Sequence, residues 1–441
     1  MKKSFANLAS GVISLIGGLL SIAILSRTWN ASDFGCWAFA NALTTTALAL
    51  DCGLILYAGS LSREKSNEID HNNEINKILL LSFFVAIVIS SCLFASSSWL
   101  AKFINDNARI YIVTDAIRRS AFGLCGAKML CIVGCRILTS LNRYDEVAVI
   151  SAGQTLTILG INLLTFWAKL DFVANIGYLS LAMVGWMMIT ILIVKFQQLP
   201  RKKYLNPFFG SINLCGLRNT FKRSIALFIS SFSSACFTSL DKLIVSSAVG
   251  PQGLAIYTVS ASVANQINSI SSLLTHPVIH VISSSESRAK IANFVNLSIL
   301  TGPILGFVCV LGSPAIRSIF LPGLADHNQI LLADQSIAIM CLIYGIYSIN
   351  CYGYYHLIAR NKLMDVSAIV MSASVLSIAS MAFLGDKLGL LGLVMCNGGY
   401  ILTCSMTLVS LQGMYSKFVP AILVAVLLSI TSILCIVSRH S

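Results

Sequence analysis

Long apolar segments recur along the whole chain, and they limit its fold more than any other feature. A segment of about 20 apolar residues is long enough to cross a bilayer as an α-helix. Strands of a membrane β-barrel need only about 10 alternating residues each, so segments of this length predict helices. Thirteen are predicted, near residues 5–26, 34–58, 77–98, 111–138, 146–168, 175–196, 224–249, 254–275, 290–311, 329–358, 365–384, 389–411 and 418–437.

The composition places the chain in a membrane. Hydrophobic residues make up 56% of the 441 residues and charged residues only 11%, against about 25% in soluble domains. The net charge of +13 needs no nucleic-acid partner, because lysine and arginine are retained on the cytoplasmic side of membranes. The 14 cysteines lie almost all in apolar segments without a C-x-x-C pair, so we expect no metal site and no other cofactor. The sequence predicts an all-α integral membrane protein with 12 or 13 transmembrane helices.

The loops between the predicted helices indicate how the chain crosses the membrane. With a cytoplasmic N-terminus, the inner loops and helix ends collect 19 of the 30 Lys and Arg residues, and the outer ones collect 7. This excess predicts a multi-pass protein with its N-terminus inside. Lys2 and Lys3 before the first apolar segment are also a feature of signal peptides, but no small-residue cleavage site precedes Arg27. We interpret the segment as a retained first helix.

The chain carries a faint internal repeat. The stretch Ile24–Trp37 aligns with Ile244–Tyr257 at a shift of 220 residues, and Arg143–Ala148 aligns with Lys362–Ser367 at a shift of 219. Each copy of the longer stretch ends one predicted helix and begins the next. Two six-helix bundles repeated in the same orientation are typical of transporters that bind substrate between their halves.

The repeat divides the chain into four predicted parts. They are an N-terminal six-helix bundle over 1–196, a basic cytoplasmic linker over 197–223, a C-terminal six-helix bundle over 224–411 and an additional transmembrane helix within 412–441. The linker carries clustered Lys and Arg, which suits the anionic inner leaflet. The polar stretch from Ser60 to Asn76 predicts only a solvated connector.

The fourth predicted helix carries charges that membrane spans rarely contain. Arg118, Arg119 and Lys128 lie in it, and because each costs about 2.5 kcal/mol or more in hydrocarbon, such residues usually face a cavity and mark a pathway. At 100° per residue, Arg118 and Arg136 project in one direction with Arg119 and Lys128 on either side, which forms a basic strip. The alternative is structural: Asp115 pairs with both arginines at i+3 and i+4, and Lys128 snorkels or packs against a polar neighbour.

Several short motifs stand in an order that one membrane-protein family shares. They are the turn Trp29–Trp37, its second copy Val249–Tyr257, Asp51-Cys52-Gly53-Leu54 late in the second helix, Asp241-Lys242 in the seventh and Pro277 after the eighth. With these motifs the chain resembles the polysaccharide flippases, or O-antigen exporters, of the multidrug, oligosaccharidyl-lipid and polysaccharide exporter superfamily. The first turn departs from the family pattern, because Asn30 stands where glycine is common.

The resemblance implies a flippase, a transporter and not an enzyme, for undecaprenyl-pyrophosphate-linked oligosaccharides of O-antigen, lipopolysaccharide or capsule synthesis. It would move them from the cytoplasmic to the outer leaflet of the bacterial inner membrane. The implied partners are the bilayer, a polysaccharide polymerase and a chain-length regulator. The chemistry agrees, because a pyrophosphate with hydrated sugars crosses hydrocarbon very slowly unaided. We predict that Arg118, Arg119 and Lys128 bind its phosphates by charge-assisted hydrogen bonds.

Three further charged residues extend this hypothesis. Lys242 is a second predicted substrate anchor, and Asp241 or Asp51 is the predicted proton or sodium site for coupling. The alternative for Asp241 and Lys242 is a structural partner on another helix for each. Because the sequence has no nucleotide-binding glycine loop, we expect an ion gradient to drive alternating access of the two bundles.

Three other functions stay open on the sequence alone. A multidrug exporter of the same superfamily would favour acidic residues in its interior, whereas the predicted spans hold four basic and three acidic residues. A flippase for a peptidoglycan precursor binds the same kind of headgroup. The charge of the residues that line the transport path therefore does not distinguish it from a polysaccharide flippase. A polysaccharide polymerase is an enzyme that needs a sizeable external loop, and the predicted outer loops are short.

Overall fold

The computed structural model consists of helices joined by short connections, and its described residues contain no β-strand. The structure describes residues 2–61, 68–198, 239–275, 288–324, 326–360, 362–411 and 418–438, with scattered residues between 217 and 232. In this part of the chain, ten helices are long and apolar enough to cross a membrane, or eleven if the bent pair Val295–Leu311 and Ser313–Phe320 is one span. The predicted all-α membrane fold is confirmed.

The structure interrupts one predicted span. In place of one helix over 34–58 it has two, Ala31–Leu48 and Leu54–Ser60. Between them the buried Asp51 carboxylate accepts hydrogen bonds from the backbone N–H of Gly53 (3.0 Å) and of Ile55 (2.8 Å). A carboxylate in this position caps the following helix and fixes where it begins. The predicted helix 224–249 lies largely outside the described residues.

Two compact units divide the chain. The first is Met1–Thr28 with Cys36–Leu243, and the second is Trp29–Gly35 with Ile244–Ser441. The helices before residue 199 are α1 (Lys2–Thr28), α2 (Ala31–Leu48), α3 (Leu54–Ser60), α4 (Glu68–Leu100), α5 (Ile110–Ser120), α6 (Lys128–Ser140), α7 (Tyr144–Ala168) and α8 (Phe172–Gln198). The predicted four-part division of the chain stays a prediction.

The span that contains α5 and α6 is the most enclosed element of the first unit. In its most apolar stretch, 72% of the residues are buried. The corresponding share is 11% to 61% in the other nine candidate spans of the described chain. Helices α4 and α8 both pack against it, and α1 packs along α7. The apolar core of the unit includes Ile78 of α4, Val133 and Ile137 of α6 and Val194 of α8. The apolar faces of α5 and α6 are therefore covered by neighbouring helices, whereas Arg118, Arg119 and Arg136 are exposed.

The remaining helices belong mainly to the second unit. They are α9 (Asp241–Thr275), α10 (Arg288–Leu311), α11 (Ser313–Phe320), α12 (His327–Tyr347), α13 (Asn350–Ala359), α14 (Leu363–Cys396), α15 (Ser405–Ser410) and α16 (Val419–Ser438). Helices α9 and α14 each contain a kink, at Gly250 (φ 69°) and Gly389 (φ 60°). The helical conformation is therefore broken close to both predicted boundaries, before residues 254 and 389, and the second break lies close to the boundary between the candidate spans Met364–Gly385 and Lys387–Ser410.

Helix α16, the additional C-terminal helix of the prediction, packs against α10 and α12. It buries Ala421 and Ala425 in a cluster with Val295, Ile299 and the preceding Phe418. Glycines bring α10 and α12 together, since a Cβ on Gly306 would lie 3.1 Å from the Gly345 Cα. Small residues at such contacts let backbones approach closely in membrane proteins.

Both copies of the repeated stretch interrupt helical structure, as predicted. In the first copy Asn30 and Asp33 cap α2 reciprocally: Asn30 Oδ1 accepts from the Asp33 N–H and Asn30 Nδ2 donates to Asp33 Oδ2, both at 2.8 Å. These hydrogen bonds give Asn30 a structural role at the start of α2. The second copy kinks at Gly250. The two copies also touch, since a Cβ on Gly35 would lie 1.8 Å from the carbonyl oxygen of Pro251.

Candidate functional site

The charged span contains a π-helical segment, Ala121–Ala127, between α5 and α6. Such wide turns are rare and are frequently found at functional sites. A Cβ on Gly123 would lie 2.3 Å from Ser180 Cβ of α8, and a Cβ on Gly126 would lie 2.6 Å from Ser90 Oγ of α4. The two glycines therefore let both neighbouring helices pack directly against the wide turn.

Arg118 is directed toward α4. Its Nε donates to Ser97 Oγ (3.1 Å) and an Nη donates to Ser98 Oγ (3.4 Å). Its guanidinium carbon lies 5.6 Å from the centroid of the Phe94 ring, which is a cation–π distance. Hydroxyl groups and a ring orient a guanidinium without cancelling its charge. No acidic side chain in the described parts of the chain pairs with Arg118, so no carboxylate there offsets its positive charge.

Arg119 lies on the side of α8 and has a counter-ion. Its Nη2 lies 3.0 Å from Asp115 Oδ2, and both side chains are nearly half exposed. The guanidinium also passes Gly177 of α8, and Ser180 Oγ donates a 2.8 Å hydrogen bond to the Arg119 carbonyl. The predicted pairing of Asp115 with both arginines therefore forms with Arg119 alone.

Lys128 begins α6 directly after the π segment and is half-buried. Within the ranges that the structure describes, its ammonium group has neither a hydrogen bond nor a carboxylate within 4 Å. The Cys125 thiol precedes Lys128 by three residues, about one helical turn. An ammonium group that is partly removed from water without a partner is unfavourable, so this position favours an anion.

The π segment changes the geometry of the basic strip. Inserting about one residue into a helix rotates everything after it by about 100°. Measured around the helix axis, Lys128 then lies about 180° from Arg118 and about 80° from Arg119. In a regular α-helix it would lie about 80° from Arg118 and about 180° from Arg119. The wide turn thus moves Lys128 to the side of Arg119. The prediction of one straight strip assumed a regular helix.

The structure describes the other predicted site residues in different surroundings. Asp51 is fully buried and caps α3. Asp241 is buried at the start of α9, where its Oδ1 accepts a 2.8 Å hydrogen bond from the Lys242 N–H, and Lys242 is half-buried. All three make further interactions. Arg118, Arg119 and Lys128 are not among their partners in the described chain, so the structure does not join the two groups by direct contacts.

Sequence reasoning missed a polar cluster around Glu74. The predicted connector over 60–76 is helical from Glu68 onward. Glu74 accepts hydrogen bonds from Tyr57 of α3 (3.0 Å), from Thr220 (2.6 Å) and from Lys77 (3.1 Å). The cluster ties α3, α4 and residue 220 of the first unit together. Its signal in the sequence was the i,i+3 spacing of Glu74 and Lys77, which suits a helix better than a loop.

Comparison with sequence families identifies the chain. Residues 1–283 match the family described as polysaccharide biosynthesis protein, which is more than half of the sequence. The chain belongs to that family. The resemblance found in its short motifs is thereby confirmed. No curated protein sequence is significantly similar to this chain.

Several solved transporter structures share the fold of this chain. The lipid II flippase MurJ, in an inward closed conformation, has a TM-score of 0.71 and 12% identity over 99% of this chain and 98% of MurJ. An inward-facing multidrug resistance transporter of the MATE family has a TM-score of 0.65 and 12% identity over 98% and 96%. A Vibrio cholerae MATE transporter, VcmN, has a TM-score of 0.61 and 10% identity over 94% and 99%. At these identities the likeness establishes the fold alone.

Proposed function

We propose that this protein is a flippase for undecaprenyl-pyrophosphate-linked oligosaccharide repeat units of O-antigen or capsular polysaccharide. The single observation that carries the proposal is Lys128, which is half-buried beside the π segment and has no partner in the described chain. A positive charge kept without a counter-ion in a membrane span marks a binding or transport path. The family to which the chain belongs supports the same assignment.

The chemistry of the charged span fits a phosphate ligand. Arg118 keeps its charge, and its fork of N–H groups has donors left after those given to Ser97 and Ser98. Lys128 adds a compact charge with three donors. Over residues 107–140 the sequence holds five basic residues and a single acidic one, Asp115. This balance favours an anionic headgroup over the cationic compounds that multidrug exporters carry.

A peptidoglycan precursor is the second candidate substrate. The likeness to the lipid II flippase MurJ favours it, and that lipid presents a similar headgroup to the protein. The sugars therefore have to be tested directly. We propose a bacterial inner-membrane location with the N-terminus in the cytoplasm, and a polysaccharide polymerase and a chain-length regulator as partners that take the product onward.

Deletion of the gene provides the test of function. Lipid-linked repeat units are expected to accumulate on the cytoplasmic face of inner-membrane vesicles, and a wild-type copy is expected to restore export. Lys128→Gln and Arg118→Gln should each reduce export at least tenfold at equal protein levels, while Lys102→Gln, at an exposed position before the same span, should not.

Accumulation of peptidoglycan precursor instead would select the second candidate. Single units that reach the outer face but stay unpolymerised would indicate a polymerase.

Ion coupling is proposed to use Asp241 or Asp51. Asparagine also caps helices well, so Asp51→Asn should preserve α3 while removing the charge. In proteoliposomes, the variant of the coupling residue is expected to transport at a rate independent of proton and sodium gradients. Wild-type transport that ignores both gradients would refute the coupling proposal and leave the flippase assignment standing.

A further inference from the structure

Asp115 is the only acidic residue between positions 107 and 140, and it lies beside the cations proposed to bind phosphate. Its carboxylate pairs with Arg119 at 3.0 Å, and that is its only ion pair in the described part of the chain. Both side chains are nearly half exposed. The pair is therefore open to a ligand and is not a sealed structural contact.

The three cations of the span differ in how their charge is balanced. Arg118 is held by two serine hydroxyls and an aromatic ring, and Lys128 has no partner among the described residues. Arg119 alone has a resident counter-ion. Its backbone is fixed independently, because Ser180 of α8 donates to its carbonyl at 2.8 Å. The Arg119 side chain can therefore leave Asp115 while the helix keeps its place.

We infer that Asp115 is a resident counter-ion that competes with the phosphate of the substrate for Arg119. This inference rests on the proposed flippase function. When the lipid carrier binds, its diphosphate replaces the carboxylate on the guanidinium, and Asp115 takes Arg119 back when the carrier leaves. The residue thus sets how tightly the substrate is held.

Physical chemistry favours such an exchange. A single exposed ion pair contributes little to stability, so breaking it is easy. A diphosphate carries more negative charge than one carboxylate. Its oxygens can accept two parallel hydrogen bonds from the N–H groups of a guanidinium. Transport also requires that a ligand bind well enough to enter and weakly enough to leave. Without Asp115 no described carboxylate would compete with the diphosphate for Arg119, so the residue limits how long the ligand is retained.

The test is the affinity of the full-length protein in nanodiscs for undecaprenyl diphosphate. Asp115→Asn is expected to lower the Kd about fivefold, because one exposed ion pair no longer competes. It should also slow transport in proteoliposomes, since release becomes slower. The matched control is Asp106→Asn, which removes the similar pair of Asp106 with Arg109 (3.3 Å) before the same span and should leave the Kd unchanged.

Arg119→Gln separates competition from a general charge effect. It should weaken binding, and Asp115→Asn added to it should have a much smaller effect than in the wild type, because no guanidinium is left to compete for. Asp115→Ser replaces Asp115→Asn if the latter fails to fold. An unchanged or higher Kd in the folded Asp115 variants would overturn the inference. Wild-type protein that does not bind the diphosphate at all would overturn the proposed function as well.

Discussion

At the scale of single residues, the ion pair that formed and the one that did not differ by spacing. Asp115 reaches Arg119 at i+4, whereas Arg118 at i+3 bonds to Ser97 and Ser98 instead. Helix periodicity predicted Arg118 and Arg119 as partners of Asp115, because spacing is a local property, and only the pair with Arg119 forms in the described chain. The serines belong to another helix, so nothing in the local sequence indicated them. The same holds for Tyr57 and Thr220, which meet on Glu74 from distant positions.

Lys128 gives a prediction in which stability and function change in opposite directions. Replacing it with methionine keeps the length of the side chain and removes a half-buried charge that has no partner in the described residues. We expect Lys128→Met to raise the free energy of unfolding by about 1 kcal/mol, because the cost of desolvating the ammonium group is removed. The same variant should lose transport.

Thermal unfolding of the purified protein in detergent measures the first effect, and export in the deletion strain measures the second. Lys102→Met, at an exposed position, serves as the control and should change neither quantity. A Lys128→Met protein that melts earlier than the wild type would mean that the lysine stabilises the fold, and the proposed binding role would lose its support.

At the scale of elements, the long spans were predictable and the irregular segments were not. Apolar length is read directly from the sequence, so nearly every predicted span has its helix in the described chain. The π segment over Ala121–Ala127 and the break at Asp51 depend on contacts with neighbouring helices and on one capping side chain. The sequence Ala121-Phe122-Gly123 gives no periodic signal that separates a π turn from an α turn.

The close contact at Gly123 predicts how strongly the wide turn depends on its neighbour. Gly123→Ala would place a Cβ 2.3 Å from Ser180 Cβ, so α8 has to move away. We expect a loss of about 1–3 kcal/mol of stability, the usual cost of overpacking, and reduced transport because Arg119 and Lys128 shift. Circular dichroism melts and export assays measure the two effects.

Gly160→Ala in α7 is the matched control, since a Cβ there meets nothing within 4 Å. Alanine is the better helix former by up to about 1 kcal/mol, so this variant should be neutral or slightly more stable. Equal losses in the two variants would show that glycine matters for helix flexibility in general, and the close packing at the π segment would not be the cause.

At the scale of the whole molecule, the C-terminal helix α16 gives the clearest prediction. It is extra to a six-plus-six repeat, yet it covers Val295 and Ile299 of α10 with Ala421, Ala425 and Phe418. Truncation after Leu411 should therefore expose that cluster and lower the melting temperature of the protein by several degrees, since each large apolar side chain uncovered costs about 1.5–3 kcal/mol. Removing only residues 439–441 is the control. Equal melting temperatures for both truncations would mean that α16 is dispensable for the second unit.

The fold as a whole was predictable because a bilayer allows few solutions for a chain of this composition. A bilayer admits only helix bundles and closed barrels, and the long apolar segments exclude the barrel. The short motifs indicate the same family as the match over residues 1–283. The substrate was not predictable to the same degree. The proposed diphosphate headgroup would account for the excess of basic residues in the span, but no charge there distinguishes one sugar from another.

The contact of Gly35 with Pro251 restricts how the two copies of the repeat can diverge. Gly35 meets a backbone carbonyl oxygen, so no exchange at position 251 makes room for a side chain at position 35. A second substitution at position 251 therefore does not compensate for a larger residue at position 35. Glycine is required at position 35 whatever residue stands at position 251. The two copies are otherwise only faintly alike, and at this contact the backbone itself limits which residues can stand at position 35.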